Sequence, residues 1–493
     1  MRGHALDTAL AEGEEGAPVL RELTQVVLDA LTEGARERGG PLPCGGPEAV
    51  AAQVRRDGSL ALPERGTGAV EALSSLVGAM ARGAADPADP HCVGHLHCPP
   101  LAVAAAAELA SAALNPSMDS WDQAPAATVI EEDVTDALAG LVYPRAPRPD
   151  ALITSGGTES NLVALLLARE RARAAGADTL QVVYGANAHH SVHRAAWTLG
   201  LPEPMVVECG AGRLEPAALD EALTAYTGAA PVLVVTTAGT TDEGVIDPLP
   251  ELAEVAARHG AEMHVDAAYG GMLLFSDRHT RQLACLDSAV SVTLDMHKLG
   301  WQPVAAGILA VQDTRMLEHL AFEASYLNAG DDTQAGLPDL LHRSIRTTRR
   351  PDVLKIAVSL RALGRAGLGD LVDRCVSVAE EFAEAVTHHP DLRLRPGEVG
   401  ISTVLFRPVA ADELPSREGD ELVAAVRRKL LTDGQAVLGR AWAVDESGDH
   451  RLWLKATLLN PQAGPTDLAR VLKLVADAAT TTRTTPRTRG EDR

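Results

Sequence analysis

The amino-acid sequence predicts an α/β fold in which a mainly parallel, seven-stranded β-sheet is covered by helices on both faces. Between residues 150 and 315, short β-rich runs alternate with stretches of helical periodicity. The chain has 493 residues, of which 46% are hydrophobic and 23% are charged, so it can bury a large core. The predicted strands are Leu152–Thr154, Gln181–Tyr184, Met205–Glu208, Pro231–Thr236, Met263–Val265, Ser291–Leu294 and Gly307–Val311.

The other elements are predicted from changes in this pattern along the chain. Helical periodicity between the strands predicts helices over Glu159–Arg173 and Leu249–Arg258. After residue 380, two apolar runs, Thr403–Phe406 and Arg451–Thr457, flank a helical stretch and predict a small α+β domain. We therefore expect a helical segment over 1–90, a large α/β domain over 91–380, a small C-terminal α+β domain over 381–478 and a disordered tail over 479–493.

Composition and charge disfavour several classes of partner. The 67 acidic residues outnumber the 44 basic residues and give a net charge of −23, which disfavours binding to nucleic acid or to an anionic membrane surface. The N-terminus lacks the basic and apolar regions of a signal peptide, and the most apolar stretch, Leu101–Leu114, is interrupted by Glu108. The 6 cysteines show no regular spacing, which favours reduced thiols. We therefore expect a cytoplasmic enzyme that binds neither nucleic acid nor membrane.

The first candidate site is a glycine turn, SGGTESN at residues 155–161, which follows a predicted strand and opens a predicted helix. Glycine lets the backbone approach a ligand closely, and the free N–H groups at the start of a helix bind anions. Gly157 and Thr158 are therefore candidate phosphate ligands. The alternative is an ordinary turn in which Thr158 caps the helix.

Two further candidates follow other strands, at the edge of the sheet where ligands bind in such folds. Asp266, in HVDAAY at 264–269, ends an apolar strand, and a buried carboxylate there needs a partner such as a cationic ring nitrogen. Lys298, in LDMHK at 294–298, can form a Schiff base if it points into a cleft. The alternatives are a helix cap for Asp266 and a solvated surface lysine for Lys298.

A histidine cluster, AHHSVH at residues 188–193, follows a predicted strand as well. No carboxylate or cysteine stands nearby at a ligand spacing, so we predict no metal site. His189 is a candidate for stacking on an aromatic cofactor ring, whereas we interpret His190 and His193 as exposed or core residues. A phosphate cradle, a stacking histidine, a carboxylate and a Schiff-base lysine are the groups that pyridoxal 5′-phosphate requires, so we expect this cofactor.

These motifs resemble those of the group II pyridoxal-phosphate-dependent amino acid decarboxylases, a family with the fold type I of aspartate aminotransferase. The resemblance extends over residues 85–460. It includes the glycine turn, Ala188–His189, TTAGTT at 236–241 followed by HVDAAY, and His297–Lys298. The resemblance implies the aspartate aminotransferase-like version of the α/β fold for the large domain.

A narrower branch of this family is similar at additional motifs, namely HLHCPP at 95–100, NPSMDSWDQAP at 115–125 and DMHK at 295–298. Members of this branch decarboxylate L-2,4-diaminobutyrate or, in hydroxamate-siderophore pathways, lysine. The resemblance therefore implies decarboxylation of an L-amino acid to the amine and CO2, with 2,4-diaminobutyrate, ornithine or lysine as the substrate. The alternative is an aromatic L-amino acid or glutamate decarboxylase on the same scaffold.

The resemblance also implies a role for each candidate residue. Lys298 would bind the cofactor covalently, Asp266 would keep its pyridine nitrogen protonated, and His189 would stack on its ring. Tyr326, in a segment that closes over the substrate, would deliver a proton to the α-carbon after CO2 has left. The implied cofactor-binding residues are Gly157, Thr158, His189, Thr241, Asp266, Ala268, His297 and Lys298. The implied substrate-binding residues are His97, Cys98, Asp119 and Trp121.

The family further implies a homodimer with shared active sites, in which the helical segment 1–90 is exchanged between subunits. The acidic stretch from Asp119 to Asp122 is a candidate for attracting a distal ammonium group of the substrate. These carboxylates could equally cap helices or form part of the dimer contact.

Overall fold

A computed structural model of the protein describes residues 6–56, 62–321, 324 and 327–484. These residues form two compact units. The central unit comprises residues 96–379 and 398–403, and the terminal unit comprises the described residues within 1–95, 380–397 and 404–493. The N-terminal and C-terminal parts, which the sequence analysis treats separately, thus belong to one unit.

The strands and helices are labelled in chain order. The strands are β1 Asp150–Thr154, β2 Gln181–Gly185, β3 Met205–Val207, β4 Cys209–Gly210, β5 Arg213–Leu214, β6 Val232–Thr237, β7 Glu262–Ala267, β8 Ser291–Asp295, β9 Gly307–Val311, β10 Leu392–Leu394, β11 Thr403–Pro408, β12 Gly439–Val444 and β13 His450–Thr457. The helices are α1 Gly16–Arg38, α2 Gly46–Arg56, α3 Ala69–Gly83, α4 Ala102–Leu114, α5 Pro125–Val142, α6 Gly157–Ala174, α7 Ser191–Thr198, α8 Pro216–Ala225, α9 Leu249–Arg258, α10 Gly330–Gln334, α11 Val353–Thr387, α12 Ser416–Thr432 and α13 Pro465–Thr484. None of the described helices is both long and apolar enough to span a membrane.

Seven strands of the central unit form one sheet in the order β1-β9-β8-β7-β6-β2-β3. Neighbouring strands from β8 to β3 are parallel, whereas β9 is antiparallel to both β1 and β8. The prediction of a mainly parallel, seven-stranded sheet is therefore confirmed. Because two antiparallel steps separate β1 from β8, the carboxyl end of β1 lies at the same edge as those of β2, β6, β7 and β8.

Helices cover this sheet on both faces, because successive side chains of a strand point to opposite sides. In β2, Val182 packs in one cluster with Leu165 of α6 and with α7. The next residue, Val183, packs in another cluster with Leu252 of α9 and with α8. Both valines are fully buried, which is typical of strands in a two-sided α/β sheet.

The terminal unit contains a four-stranded sheet in the order β10-β11-β13-β12, in which β10 and β11, and likewise β12 and β13, are antiparallel. The last helix, α13, extends to Thr484. The disorder predicted from residue 479 is therefore wrong as far as Thr484, because the buried face of the helix continues through Ala478 and Ala479. Residues 485–493 of the predicted tail lie outside the described residues.

Candidate active site

A cavity of about 310 Å³ lies in the central unit, where the carboxyl ends of β1, β2, β6, β7 and β8 meet. The segments that follow these strands each contribute side chains to its wall. The wall includes all the residues predicted to bind the cofactor, which are Gly157, Thr158, His189, Thr241, Asp266, Ala268, His297 and Lys298. Motifs that are distant in sequence thus share one cavity, as expected for ligand sites in this class of fold.

The turn between β1 and α6 leaves room for an anion. Gly156 has a φ of 151°, and α6 begins at Gly157 without a side chain that caps it. A Cβ atom on Gly157 would lie 3.0 Å from Cβ of Ala268 and 3.2 Å from Oδ2 of Asp295, so any larger residue would crowd the cavity here. The interpretation of Thr158 as the helix cap is wrong, because Thr158 lies inside the first turn. The first N–H groups of α6 can therefore bind an anion.

Asp266 lies near the end of β7, and two donors orient its carboxylate. The side-chain amide of Asn161 donates to Oδ2 at 2.8 Å, and the backbone N–H of Ala268 donates to Oδ1 at 3.1 Å. The residue is 5% exposed. The helix-cap interpretation of Asp266 is wrong, because the next helical segment begins only at Gly270.

Asn161, which the sequence analysis missed, connects several parts of the site. Because a carboxylate only accepts hydrogen bonds, the Nδ2 atom must face Asp266, and it also donates to Oγ of Ser191 at 2.9 Å. The Oδ1 atom accepts from the hydroxyl of Thr293 at 2.8 Å. Asn161 is four residues beyond Gly157 on α6 and so lies on the same helix face, which is the sequence signal that could have identified it.

His264 completes this network from β7. Its Nε2 atom lies 3.1 Å from Oδ1 of Asn161 and must donate to it, while Nδ1 lies 2.8 Å from the hydroxyl of Ser291. The ring is fully buried, and burial lowers the pKa of His264 from 6.5 to about 4. We infer that His264 is neutral near pH 7 and fixes the orientation of the Asn161 amide.

His189 lines the cavity on the segment after β2. Its Nδ1 atom accepts from the backbone N–H of Ser191 at 3.3 Å and lies 2.8 Å from the Ser191 hydroxyl, which leaves the proton of the neutral ring on Nε2. Burial lowers the pKa of His189, and the negative charge of Asp266 opposes this shift. His190 and His193 are exposed and are not among the described residues that line the cavity, as one of the alternatives predicted.

Lys298 follows β8, and its Nζ atom lies 3.0 Å from Oδ2 of Asp295. The Nε2 atom of His297 lies 3.6 Å from the same oxygen. Burial lowers the pKa of His297, and Asp295 opposes this shift. The interpretation of Lys298 as a solvated surface lysine is wrong, because its side chain is 19% exposed and lines the cavity. Asp295 was not predicted to have a role, although it stands in the motif that contains Lys298.

The residues predicted to bind the substrate are not brought into this cavity within the described part of the chain. His97 is exposed, and Trp121 is 36% exposed. Asp119 is buried, and its Oδ2 atom accepts from the hydroxyl of Thr348 at 3.4 Å.

Cys98 and Tyr326 are different cases. The thiol of Cys98 is buried and donates to the backbone carbonyl of His297 at 3.2 Å. Burial raises the pKa of Cys98 to about 12, so the thiol remains a donor near pH 7. Tyr326 lies outside the described residues.

A family model described as the pyridoxal-dependent decarboxylase conserved domain matches residues 62–409. The chain belongs to the pyridoxal-dependent decarboxylase family. An L-2,4-diaminobutyrate decarboxylase of Rhizobium meliloti is 42% identical to this decarboxylase over 427 residues, which cover 85% of this chain and 83% of the relative. An L-2,4-diaminobutyrate decarboxylase of Acinetobacter baumannii is 32% identical over 397 residues, 76% of each chain.

Solved structures agree with this assignment. The glutamate decarboxylase domain of diaminobutyrate-pyruvate transaminase and L-2,4-diaminobutyrate decarboxylase from Vibrio parahaemolyticus has a TM-score of 0.83 and 29% identity. The similarity covers 97% of this chain and 99% of that chain. Oryza sativa TDC with PLP and tryptamine has a TM-score of 0.83 at 23% identity, covers 96% of this chain and 99% of that chain, and so shares the fold.

The decarboxylase uses pyridoxal phosphate, and the residues of the cavity fit this cofactor. The glycine turn offers an anion site, Asp266 offers a carboxylate for a ring nitrogen, and Lys298 offers an amine. Two buried polar atoms in the wall, Oδ1 of Asp295 and Nδ1 of His297, have no hydrogen-bond partner among the residues that the structure describes. Buried polar atoms of this kind are compatible with a polar ligand. The bound cofactor supplies an electron sink for the electron pair that departing CO2 leaves behind.

Proposed function

We propose that the protein converts an L-diamino acid into a diamine and CO2, with L-2,4-diaminobutyrate, ornithine and lysine as candidate substrates. The observation that carries this proposal is the 42% identity, over 85% of the chain, to a relative named L-2,4-diaminobutyrate decarboxylase. The net charge of −23 supports it, because an acidic protein attracts a substrate with a second ammonium group.

In this proposal Lys298 binds the cofactor covalently, and the N–H groups at the start of α6, with Gly157 and Thr158, bind its phosphate. Asp266 keeps the pyridine nitrogen protonated, and its fixed orientation supports this role. Ala268, Thr241 and His297 complete the cofactor contacts. The position of these three residues in the cavity wall supports this role.

His189 covers one face of the cofactor ring in the proposed arrangement. Support comes from its bonds to Ser191, which fix the imidazole, and from its lowered pKa, which keeps the ring neutral near pH 7. Tyr326 delivers the proton to the α-carbon after CO2 has left. Its position 28 residues after Lys298, in the sequence ASYL, supports this role.

We further propose a homodimer with shared active sites, to which the segment 1–90 contributes. The helices α1 and α3 of the terminal unit expose Leu28, Leu31, Leu76 and Met80, and exposed apolar side chains of this number favour a protein contact. Light scattering of the purified protein tests this proposal, and a monomeric mass would contradict it.

The substrate side of the site is proposed to include His97, Asp119 and Trp121. His97 and Trp121 are exposed in the single chain. We therefore propose that formation of the dimer brings these two residues to the cavity of the partner subunit. The bond of Cys98 to the carbonyl of His297 favours an indirect role for Cys98 instead. We propose that the enzyme is cytoplasmic and acts in diamine or siderophore biosynthesis.

The test is a substrate panel supplied to the purified protein with pyridoxal phosphate. The panel contains L-2,4-diaminobutyrate, ornithine, lysine, glutamate, tyrosine and tryptophan, and mass spectrometry detects each amine. We expect a diamine as the main product. Preferential decarboxylation of glutamate or of an aromatic amino acid would contradict the proposal, and Lys298→Ala gives the background for every substrate.

A further inference from the structure

We propose that Asp295 and the cofactor phosphate share one proton, so that binding of the cofactor takes up a proton from solvent. The inference rests on the proposed function in one respect, namely that the phosphate binds at the glycine turn that starts α6. It goes beyond that function because it assigns Asp295 a direct contact with the cofactor phosphate and gives cofactor binding a defined pH dependence.

The first observation is the state of the Asp295 carboxylate. Asp295 is the last residue of β8, lines the cavity and is 3% exposed. Its Oδ2 atom lies 3.0 Å from Nζ of Lys298, but its Oδ1 atom is buried and has no hydrogen-bond partner in the described part of the chain. A buried carboxylate oxygen without a donor is costly and indicates that something else occupies its free side.

The second observation is the distance between this carboxylate and the anion site. A Cβ atom built on Gly157 would lie 3.2 Å from Oδ2 of Asp295, and one built on Gly156 would lie 3.8 Å from Oδ1. The carboxylate therefore borders the same turn whose N–H groups are proposed to bind the phosphate. Asp295 and the residues of this turn line the same cavity, so we infer that a phosphate bound there faces the Asp295 carboxylate.

The carboxylate of Asp295 and the phosphate repel each other at these positions unless a proton is present between them. A phosphate monoester carries a charge of about −1.5 to −2 at pH 7, and its oxygens accept hydrogen bonds. An ionised carboxylate also only accepts. Two anionic acceptors in a buried site bind a proton jointly, as the carboxyl pairs of other enzymes do. The shared proton converts the repulsion into an O–H···O hydrogen bond.

The other charged groups that face this carboxylate do not remove the conflict. Lys298 is its nearest cation, but in the proposed function this amine bonds to the cofactor. His297 and His189 lie nearby with lowered pKa values, because burial disfavours their charged forms. The positive charge of Lys355 on α11 lowers the pKa of His297 further, but Lys355 forms its ion pairs with other carboxylates. Asp266, which also lines the cavity, adds further negative charge.

The test measures proton uptake by calorimetric titration in buffers of different ionisation enthalpy at pH 7.5. Wild-type protein titrated with pyridoxal phosphate should take up about one proton more than Asp295→Asn, because the amide donates to the phosphate without a titrating proton. Affinity of the wild type should fall about tenfold per pH unit above pH 7.5 relative to that of Asp295→Asn. Asp287→Asn, which replaces a carboxylate paired with Arg145 elsewhere in the unit, should match the wild type.

A second measurement needs no variant of Asp295. Wild-type protein should take up about one proton more with pyridoxal phosphate than with pyridoxal, which lacks the phosphate. Equal proton uptake with the two ligands would overturn the inference. Unchanged proton uptake in Asp295→Asn would also overturn it, because the proton would then lie on another group such as His297. Borohydride labelling of Lys298 in the same samples separates the two proposals, because a labelled Lys298 without the extra proton refutes the inference alone.

Discussion

Asn161 donates a hydrogen bond from Nδ2 to Oδ2 of Asp266 at 2.8 Å, and both side chains are buried. The opposite atom of the same amide accepts from Thr293 and His264. Because each group in this network is held by a second partner, the carboxylate cannot turn without breaking further bonds. The orientation of Asp266 in the cavity thus depends on a residue one helical turn beyond the glycine turn.

Replacing Asn161 should therefore weaken both the fold and the function. Asn161→Ala leaves Asp266 without one of its two donors, and we expect the free energy of unfolding to fall by about 1–3 kcal/mol. Turnover should fall about 10- to 100-fold, because the carboxylate is no longer fixed. Asn187→Ala is the matched control, since Asn187 donates to the buried Asp247 at 2.8 Å outside the cavity. An equal loss of turnover in both variants would contradict the role of Asn161.

Asp266→Asn tests the carboxylate itself. The amide has nearly the same shape but cannot keep the pyridine nitrogen protonated, so we expect a folded protein whose turnover is lower by about 100-fold or more. Circular dichroism and steady-state kinetics measure the two effects. Turnover close to that of the wild type would mean that another group protonates the ring.

The buried His264 predicts a pH dependence of stability. Burial lowers its pKa from 6.5 to about 4, so between these pH values the unfolded chain binds more protons than the native state. The contribution of His264 to the free energy of unfolding is fully present above pH 6.5. It falls by about 1–3 kcal/mol as the pH falls towards 4. Urea unfolding at several pH values should show this loss in the wild type and in His450→Gln, which replaces an exposed histidine. The loss should shrink in His264→Gln, and an unchanged profile there would exclude His264 as its source.

Tyr326→Phe tests the proposed proton donor. The variant keeps the ring but lacks the hydroxyl, so protonation of the α-carbon slows and oxygen can react first. We expect less amine and, in air, new formation of aldehyde, ammonia and peroxide. If the ring of Tyr326 has only a packing role, the amine yield will be unchanged and no peroxide will form.

The strands of the large sheet could be predicted because they are buried on both faces and therefore appear as continuous apolar runs. The ends of each predicted strand lie within two residues of those in the structure. The strand β12 was missed because its inward residues are only Gly439, Ala441 and Ala443, while Arg440 and Trp442 between them are exposed. The antiparallel direction of β9 depends on its pairing with β1 and β8 and leaves no mark in its own residues.

The candidate site could be predicted where a residue type itself carries the chemistry. Asp266 stands directly after an apolar run and Lys298 stands four residues after one, so their place near the carboxyl ends of the strands followed from the sequence. Asn161 was missed because its importance comes from Asp266, a partner that lies far away in sequence. Asp295 was missed although its partner Lys298 is only three residues away, because the sequence does not show that the two side chains meet. The exposed position of His97 could not be predicted either, since a short polar motif does not indicate which surface it faces.

The position of the covalent bond to the cofactor tests the proposed function most directly. The protein with bound pyridoxal phosphate is reduced with borohydride, digested and analysed by peptide mass spectrometry. We expect the reduced cofactor on Lys298, with loss of the label in Lys298→Ala. A label on any other lysine, or a protein that binds no cofactor at this site, would contradict it.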